Sequence, residues 1–280
     1  MAEATYHASR ALSSTGARKL LAPSCPALYR YEMDHGQPPN PAFDFGHAAH
    51  SAVLGVGDPV AVVDADDWRS KAAQTARDEA RQAGHVPLLR GDAAKVEAMT
   101  EAIRSHPIAG PLFEPGTGTP EQSIFWDDPE WGVPRRARID WTRPNSTGGR
   151  VILADLKTTT DVSPAALSKT VANYGYHAQA AFYRDAAAAA DLDDDAVFLF
   201  VFVSKVAPYL VNVVELDGLA LRVGADLNVK AMQVWLECTA SGVWPGYGSD
   251  VTLIGLPTWA LNPSALDDPT QDYEQKENRP

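Results

Sequence analysis

Two short segments with strand-like alternation, residues 136–140 and 152–157, constrain the fold of this chain more than any other feature. Between them lies the run 142–149, which is rich in Pro, Asn, Ser, Thr and Gly and is therefore typical of a turn. The pattern predicts an antiparallel hairpin, and a turn centred on the Thr-Gly pair of this run places Asp140 opposite Asp155. Directly opposed residues on one face have Cβ atoms about 5 Å apart. The hairpin therefore brings two carboxylates together.

The alternation also predicts which side chains share a face of the hairpin. On the first strand, the apolar face is predicted to carry Ala137, Ile139 and Trp141. Asp140 lies on the opposite face of that strand. On the second strand, Asp155 and Lys157 share one face, so the lysine stands on the same side as a carboxylate.

Two carboxylates side by side repel each other, and one of them takes up a proton unless a cation neutralises the pair. Mg²⁺ fits such a pair, because it takes oxygen ligands and keeps waters and substrate phosphate oxygens in its shell. Lys157 can then orient or deprotonate an attacking water, or neutralise charge that develops in a transition state. The alternative is that residues 155–157 form only a strand end with solvated charges.

A second group of polar residues lies on a predicted helix downstream. The Ser-Pro pair at 163–164 is typical of a helix N-cap and first turn, and we predict a helix from there to about Ala190. Tyr176, Gln179 and Tyr183 share one stripe of this helix. A glutamine between two tyrosines favours a face turned toward a polar cleft. A core helix with a hydrogen-bonded buried glutamine is the alternative.

Upstream, residues 45–54 predict a short helix with His50 on its inner side. A lone histidine is more often a core or surface residue than a ligand. Imidazole is nevertheless a competent metal ligand, and this chain already carries an acid pair. His47 is the competing candidate for the metal-binding histidine.

The order of these residues resembles that of a known family. The series is Gly46, His50, Glu121, Asp140, Asp155, Lys157, Gln179 and Tyr183. It resembles the RecB-type branch of the PD-(D/E)XK nuclease superfamily, and most of all the RecE-like exonucleases, relatives of exodeoxyribonuclease VIII. The resemblance spans roughly residues 5 to 215 and includes residues 6–7, 12–16, 20–27 and 175–183.

The resemblance implies a role for each matching residue. The implied metal ligands are His50, Asp140, Asp155 and the backbone carbonyl of Leu156. The implied catalytic residues are Lys157, Asp140, Asp155, Glu121, Gln179 and Tyr183. The residues expected to bind DNA are Arg136, Arg138, Tyr176, Gln179 and Tyr183. We preferred His50 to His47 as the ligand because its spacing from Gly46 matches the family.

The implied fold is α/β, a restriction-endonuclease-like core whose central mixed sheet is flanked by helices, with a helical N-terminal region and a helical insertion. The implied activity is a Mg²⁺-dependent exonuclease, in which Mn²⁺ can substitute. It would digest linear double-stranded DNA from its ends, 5′-to-3′, and leave 3′ single-stranded overhangs for phage-type recombination. The implied partners are a single-strand annealing recombination protein and further copies of the chain in a ring-shaped homo-oligomer.

Two alternatives to this function stay open. One is a structure-specific, single-strand or RNA-directed nuclease of the same fold. The other is a DNA-binding module that has lost catalysis, although the intact Asp140, Asp155 and Lys157 speak against it.

At 280 residues the chain is long enough for one large domain. We predict a single nuclease domain over residues 1–250, with a helical part over about 1–110 and a catalytic core over about 115–242. Residues 251–280 are expected to form an extended, disordered tail, since they are rich in proline and polar residues.

Within this domain, helices are predicted over residues 67–84 and 91–106, where they form an insertion. Two apolar strands at 197–203 and 209–214 are predicted to supply the buried centre of the sheet. A helix over about 219–241 is expected to close the domain.

The formal net charge of −12 weighs against a broad DNA-binding surface, because such surfaces are usually basic. The acidic residues concentrate at 191–195 and in the tail. The basic residues gather around the predicted site, at Arg135, Arg136, Arg138, Lys157 and Lys169. Enclosure of DNA by an oligomer would also substitute for a basic face.

Two cysteines, Cys25 and Cys238, are too few for a disulfide framework, a zinc site or the four-cysteine iron–sulfur cluster of some RecB-branch relatives. The chain has no apolar run of transmembrane length and no signal peptide. We therefore expect a cytoplasmic protein of a bacterial host cell with no membrane partner.

Overall fold

The computed structural model describes residues 3–36, 41–144 and 148–256, in which helices and strands alternate along the chain. The strands are β1 (Leu12–Ser13), β2 (Val60–Val63), β3 (Val86–Leu89), β4 (Thr119–Asp127), β5 (Pro134–Arg143), β6 (Ile152–Thr159), β7 (Val197–Ser204) and β8 (Val211–Glu215). The helices are α1 (Glu3–Ala8), α2 (Ser14–Lys19), α3 (Pro26–His35), α4 (Pro41–Leu54), α5 (Lys71–Gln82), α6 (Arg90–Ser105), α7 (Ala109–Leu112), α8 (Pro164–Tyr174), α9 (Tyr176–Ala189) and α10 (Gly218–Ser241).

The chain divides into two units, Met1–Pro245 and Gly246–Pro280. All the helices and strands of the described residues belong to the first unit. Of the second unit, residues 246–256 are described and lie in neither a helix nor a strand. Most of the tail that we predicted to be disordered, residues 257–280, lies outside the described residues.

Six strands form the central sheet in the order β1-β5-β6-β7-β8, with β4 paired to the other edge of β5. Strands β1 and β5 run parallel, as do β6 and β7. The β4–β5, β5–β6 and β7–β8 pairs are antiparallel. The sheet is therefore mixed, as the sequence predicted.

Two strands, β1 and β6, pair with different parts of the same edge of β5. β1 pairs with Arg135 and Arg136, whereas β6 pairs with residues 141–143. Among the described strands, none covers residues 137–140 on this edge. On the opposite edge, the β4 ladder skips the pair of Glu121 with Asp140 while its register continues on both sides. Asp140 therefore pairs with neither neighbouring strand, although the residues on both sides of it are paired.

The register of β5 against β6 is the one that the sequence predicted. Trp141 pairs with Ala154, so the next residues along the two strands, Asp140 and Asp155, stand beside each other. The pairing ends at this point. The backbone N–H of Leu156 donates instead to Oδ2 of Asp140, at 2.9 Å. A carboxylate therefore replaces a strand carbonyl where the two strands begin to separate.

Helices cover both faces of the sheet and enclose two apolar clusters. Alternation along β7 sends Phe198, Phe200 and Phe202 into the cluster shared with α9 and α10, and Val201 and Val203 into the cluster shared with α4 and α6. This arrangement confirms the predicted buried centre for β7. The prediction is wrong for the second strand, because β8 lies at the edge of the sheet and is only half-buried.

The predicted shared face of Ala137, Ile139 and Trp141 is wrong at Trp141. The first two residues pack in the α9 cluster, whereas Trp141 packs in the cluster with α4 and α6. The change of face follows the interruption at Asp140, where pairing with β4 lapses beside a positive φ of 51° at Glu121.

The helix predicted from residue 163 to about 190 is divided at Gly175. Ser163 is the N-cap, as predicted, and its hydroxyl accepts from the backbone N–H of Ala166. Gly175 has a positive φ of 64°, which ends α8 and lets α9 begin in a new direction. The closing helix α10 has the predicted extent within a residue or so, and begins after the N-cap Asp217.

The insertion is not wholly helical. Helices α5 and α6 occupy the predicted segments, but β2 and β3 form a separate two-stranded parallel sheet around α5. The sequence analysis missed these strands because each is only four residues long. In the part of the chain that the structure describes, we find no helix with the length and apolar character needed to cross a bilayer.

Candidate active site

Polar side chains from four elements meet where β5 and β6 separate. Asp140 lies on β5, Asp155 and Lys157 on β6, and His50 on α4. Gln179 reaches the same place from α9. These residues come from both helical layers and from the sheet, so the site exists only once the layers have packed.

Asp155 is buried and is held by two neighbours. The side-chain amide Nε2 of Gln179 donates to its Oδ1 at 2.6 Å. The ammonium of Lys157 forms an ion pair with its Oδ2. Oε1 of Gln179 is buried and has no hydrogen-bond partner among the described residues. The carboxylate is therefore fixed in orientation, and a buried acceptor beside it is left without a donor.

Of the two candidate histidines, His50 is the one that lies beside Asp140. Nδ1 of His50 lies 3.3 Å from Oδ2 of Asp140. The backbone carbonyl of Leu156 lies beside the ring, and a hydrogen bond to it raises the pKa of the imidazole. Burial and the charge of Lys157 outweigh this effect. His47, three residues earlier on α4, is exposed.

Glu121 joins the same group from β4. One ligand atom each from His50, Glu121 and Asp140 lie within 4.8 Å of one another. The guanidinium of Arg138 forms a hydrogen-bonded ion pair with Glu121 and so holds it in place. The structure thus brings together all the acidic residues that the resemblance singled out.

Burial and like charge both act on Asp140. Its pKa is raised well above the usual 3.8, first by burial and then by the neighbouring negative charge of Asp155. The pKa of His50 is lowered from 6.5, first by burial and then by the positive charge of Lys157. The shift of Asp140 shows that the repulsion between the two buried acids is not fully compensated. The shift of His50 favours the neutral imidazole, which is the form that binds a metal ion.

Lys157 supplies part of that charge. Burial is the largest single effect and lowers the pKa of its ammonium, but Asp155 and Asp140 together outweigh it. The net result is a pKa above the usual 10.5, so the side chain is positively charged beside the two carboxylates.

The stripe of α9 faces this site, as predicted. Gln179 bonds to Asp155, and the ring centroid of Tyr176 lies 5.1 Å from Nζ of Lys157. Burial raises the pKa of Tyr183 well above 10.0, and the charges of Asp155 and Asp140 add to the shift. Gln179 is also buried and hydrogen-bonded, as the core-helix alternative expected, but its partner is the site carboxylate of Asp155.

The basic residues of β5 are used largely inside the protein. Arg136 is buried, donates to the backbone carbonyl of Tyr6 and lies over the Tyr6 ring. Arg135 is buried in ion pairs with Asp128 and Asp185. Because its guanidinium is buried against Tyr6, Arg136 is not exposed to contact DNA, contrary to the prediction. Arg135 is likewise enclosed by the protein and does not belong to the site.

The sequence analysis missed two residues beside the site, Arg18 and Tyr174. Both line a cavity of about 510 Å³, which Lys157 also lines. The local signal for them is Gly175. A glycine that ends a helix places Tyr174 at the end of α8 and not inside the predicted long helix.

A comparison with protein families identifies the chain. The family described as "PDDEXK-like domain of unknown function (DUF3799)" matches residues 13–255. The chain belongs to this family. The match includes every residue of the site described above, and the PDDEXK-like domain is a nuclease domain. The RecE-like subgroup within the superfamily stays a prediction.

Comparisons with individual proteins support the fold of this PDDEXK-like domain. None of the curated proteins matches the chain. The crystal structure of a Eubacterium rectale protein named "Putative exonuclease" aligns with a TM-score of 0.61 and 13% identity, over 93% of this chain and 94% of that one. At this identity the likeness shows a shared fold. The crystal structure of SSO0001 aligns at a TM-score of 0.30 and 11% identity, over 74% of this chain and 88% of that one.

PDDEXK-like nucleases use divalent metal ions, and the donor set of this chain fits one. Carboxylate oxygens suit hard cations, and an imidazole can complete the shell. His50, Glu121 and Asp140 would hold the ion, because one ligand atom of each lies within 4.8 Å of the others. Asp155 and the Leu156 carbonyl, which the resemblance also names, are not part of this group, and the oxygens of Asp155 contact Gln179 and Lys157. When bound, the ion supplies positive charge to phosphate oxygens and lowers the pKa of a coordinated water.

We expect Mg²⁺ or Mn²⁺ to raise the Tm of the metal-free protein, because a bound cation relieves repulsion between Asp140 and Asp155. At a free metal concentration of 100 times the Kd, the stabilisation is about 2.7 kcal/mol. Differential scanning fluorimetry would measure the shift from each variant's own baseline in EDTA. Asp140→Asn should lose most of it, whereas Asp226→Asn, an exposed acid on α10, should keep it. Equal shifts in both variants would place the cation elsewhere.

Proposed function

We propose that this protein is a Mg²⁺-dependent exonuclease that hydrolyses phosphodiester bonds at the ends of linear double-stranded DNA. The observation that carries the proposal is the buried group of Asp140, Asp155 and Lys157, with His50 facing the first carboxylate. The name of the Eubacterium rectale neighbour supports an exonuclease in particular.

The residues of the site suit in-line hydrolysis of a phosphodiester. A water attacks phosphorus opposite the leaving oxygen, so that one P–O bond forms as the other breaks. Lys157, held by Asp155, can hydrogen-bond this water and offset the negative charge that accumulates on the phosphate oxygens. Gln179 keeps Asp155 oriented toward the site, and this buried contact limits the reorganisation needed during the reaction.

We further propose 5′-to-3′ polarity, with 3′ single-stranded overhangs as the product. The support is the resemblance to RecE-like exonucleases, which also suggests phage-type recombination and a single-strand annealing protein as partner. A ring-shaped homo-oligomer would explain how a chain of net charge −12 retains DNA, because enclosure does not depend on a broad basic surface.

A digestion assay would test polarity and end dependence together. Linear duplexes carrying a label at either the 5′ or the 3′ end, and a covalently closed duplex circle, would be incubated with the protein and Mg²⁺. We expect early release of the 5′ label and no cutting of the circle. Cutting of the circle would indicate an endonuclease, and early release of the 3′ label would reverse the polarity.

A single-strand nuclease of the same fold is the second candidate. The exposed ring of Tyr174, in the cavity beside Lys157, favours it because an aromatic side chain can stack on an unpaired base. Digestion of a single-stranded circle, with the linear duplex left intact, would favour this candidate over the first.

A further inference from the structure

A cavity of about 510 Å³ lies beside the catalytic lysine and is not used by the hydrolysis described above. Its lining includes Thr15, Arg18, Lys157, Tyr174, Tyr176 and Asn228. The volume is within the range of small-ligand sites, which is about 300–1,000 Å³. Its lining holds three cationic side chains, those of Arg18, Lys157 and Lys19, and two tyrosines, but no acidic residue. Lys19 is paired with Glu32, which leaves Arg18 and Lys157 as the cations for a ligand. The composition suits a ligand that is both flat and negatively charged.

The helix break at Gly175 creates the aromatic wall of this cavity. In a continuous helix, residues two apart point to different sides and do not face each other. Because Gly175 has a positive φ of 64°, Tyr174 and Tyr176 instead lie side by side. Their ring centroids are 5.6 Å apart with an interplanar angle of 19°. The stacked pair is thus a product of the backbone at a single residue.

Tyr174 is the exposed end of a longer aromatic series. Tyr176 also stacks on Phe200 of the buried sheet, at 5.5 Å and 29°. Tyr174 is 64% exposed, and among the described residues its ring stacks on that of Tyr176. The core therefore supports an aromatic surface that opens into the cavity, which is the arrangement a base-stacking platform requires.

Arg18 supplies positive charge next to this platform. Its guanidinium lies 5.9 Å from the Tyr176 centroid and donates to the Tyr174 carbonyl at 2.7 Å and to Oγ1 of Thr15 at 3.1 Å. No carboxylate of the described residues forms an ion pair with it. A guanidinium carries five N–H donors, so donors remain for an anionic ligand. Phosphate is the anion that such a fork commonly binds.

We propose that this cavity binds one unpaired DNA nucleotide, with its base stacked on Tyr174 and its phosphate facing Arg18. The inference rests on the proposed nuclease function and specifies the form of its substrate, a duplex end whose terminal base pair has opened. A fully paired end must then melt before it is cut, so ends with unpaired terminal nucleotides should react faster.

Binding and cleavage by matched tyrosine variants would test the site. The binding probe is a fluorescent single-stranded DNA tetranucleotide, titrated in EDTA so that no cleavage occurs. Tyr174→Ala should weaken the Kd about 5- to 100-fold, the effect of losing one base-stacking contact. Tyr174→Phe keeps the ring and should bind like the wild type. Tyr31→Ala removes an exposed tyrosine outside the cavity and should also leave the Kd unchanged.

The cleavage assay compares duplexes whose last two nucleotides are paired or mismatched. For the wild type we expect a higher kcat/KM on the mismatched end, and for Tyr174→Ala a higher KM with little change in kcat. An unchanged Kd in Tyr174→Ala would overturn the proposed nucleotide site, whether or not the protein cuts DNA. Ring-dependent binding by a wild-type protein that cuts no DNA with Mg²⁺ would support the site and remove the nuclease function.

Discussion

Lys157→Ala is expected to lower the rate of DNA cleavage by about 100- to 10,000-fold, the range for loss of a positioned proton-transfer or charge-stabilising group. The ammonium is paired with Asp155, and the charges of Asp155 and Asp140 keep it protonated. Alanine removes both the hydrogen-bond donor that can hold the attacking water and the positive charge beside the scissile phosphate. The loss should fall on kcat, because the groups that hold DNA elsewhere are unchanged.

The measurement is single-turnover cleavage of a linear duplex in saturating Mg²⁺, with Tm recorded in the same buffer. Lys230→Ala is the matched control, since Lys230 is an exposed lysine on α10. It should cleave at the wild-type rate. A Lys157→Ala variant that folds, binds DNA and cuts as fast as the control would remove Lys157 from the mechanism.

Arg135→Met is expected to lower the free energy of unfolding by about 3–5 kcal/mol, the usual cost of removing one partner from a buried ion pair. The guanidinium is 2% exposed and lies 2.9 Å from Oδ2 of both Asp128 and Asp185. It also packs over the Phe182 ring, with 4.1 Å to the centroid. Methionine retains most of the apolar stem but leaves Asp128 buried without its cation.

Urea denaturation followed by circular dichroism would measure the change. Arg90→Met is the control, because Arg90 pairs with Asp64 and Asp66 on the surface, and such a pair contributes at most about 1 kcal/mol. Adding Asp128→Asn to Arg135→Met should recover part of the loss, since it removes the uncompensated charge. Similar small losses in Arg135→Met and Arg90→Met would show that the buried pair contributes little.

The features that the sequence predicted correctly depend on neighbouring residues. The alternation of β6, the apolar run of β7 and the Ser163 cap are all local signals. The predicted turn after β5 includes residues 145–147, which lie outside the described residues. The predicted register of Asp140 beside Asp155 depended on a turn centred on the Thr-Gly pair, and the observed pairing of Trp141 with Ala154 agrees with it.

The roles of the basic residues could not be predicted in this way. Arg135 and Arg136 are adjacent to the site in sequence, yet both are buried against partners far along the chain. Charge and spacing alone do not distinguish a guanidinium that faces DNA from one that is enclosed by the protein. The lysine of the site was identified because Asp155, its partner, lies only two residues away.

Local pattern by itself determined the long strands of the central sheet and most of the helices. Only the tertiary structure decided which histidine faces them, how Glu121 joins them, and where Trp141 packs. It also created the cavity beside Lys157, where Arg18 bonds to Tyr174 across 156 residues of sequence. The physical reason is that periodicity and capping are properties of a few consecutive residues, whereas these contacts arise only when distant segments pack together.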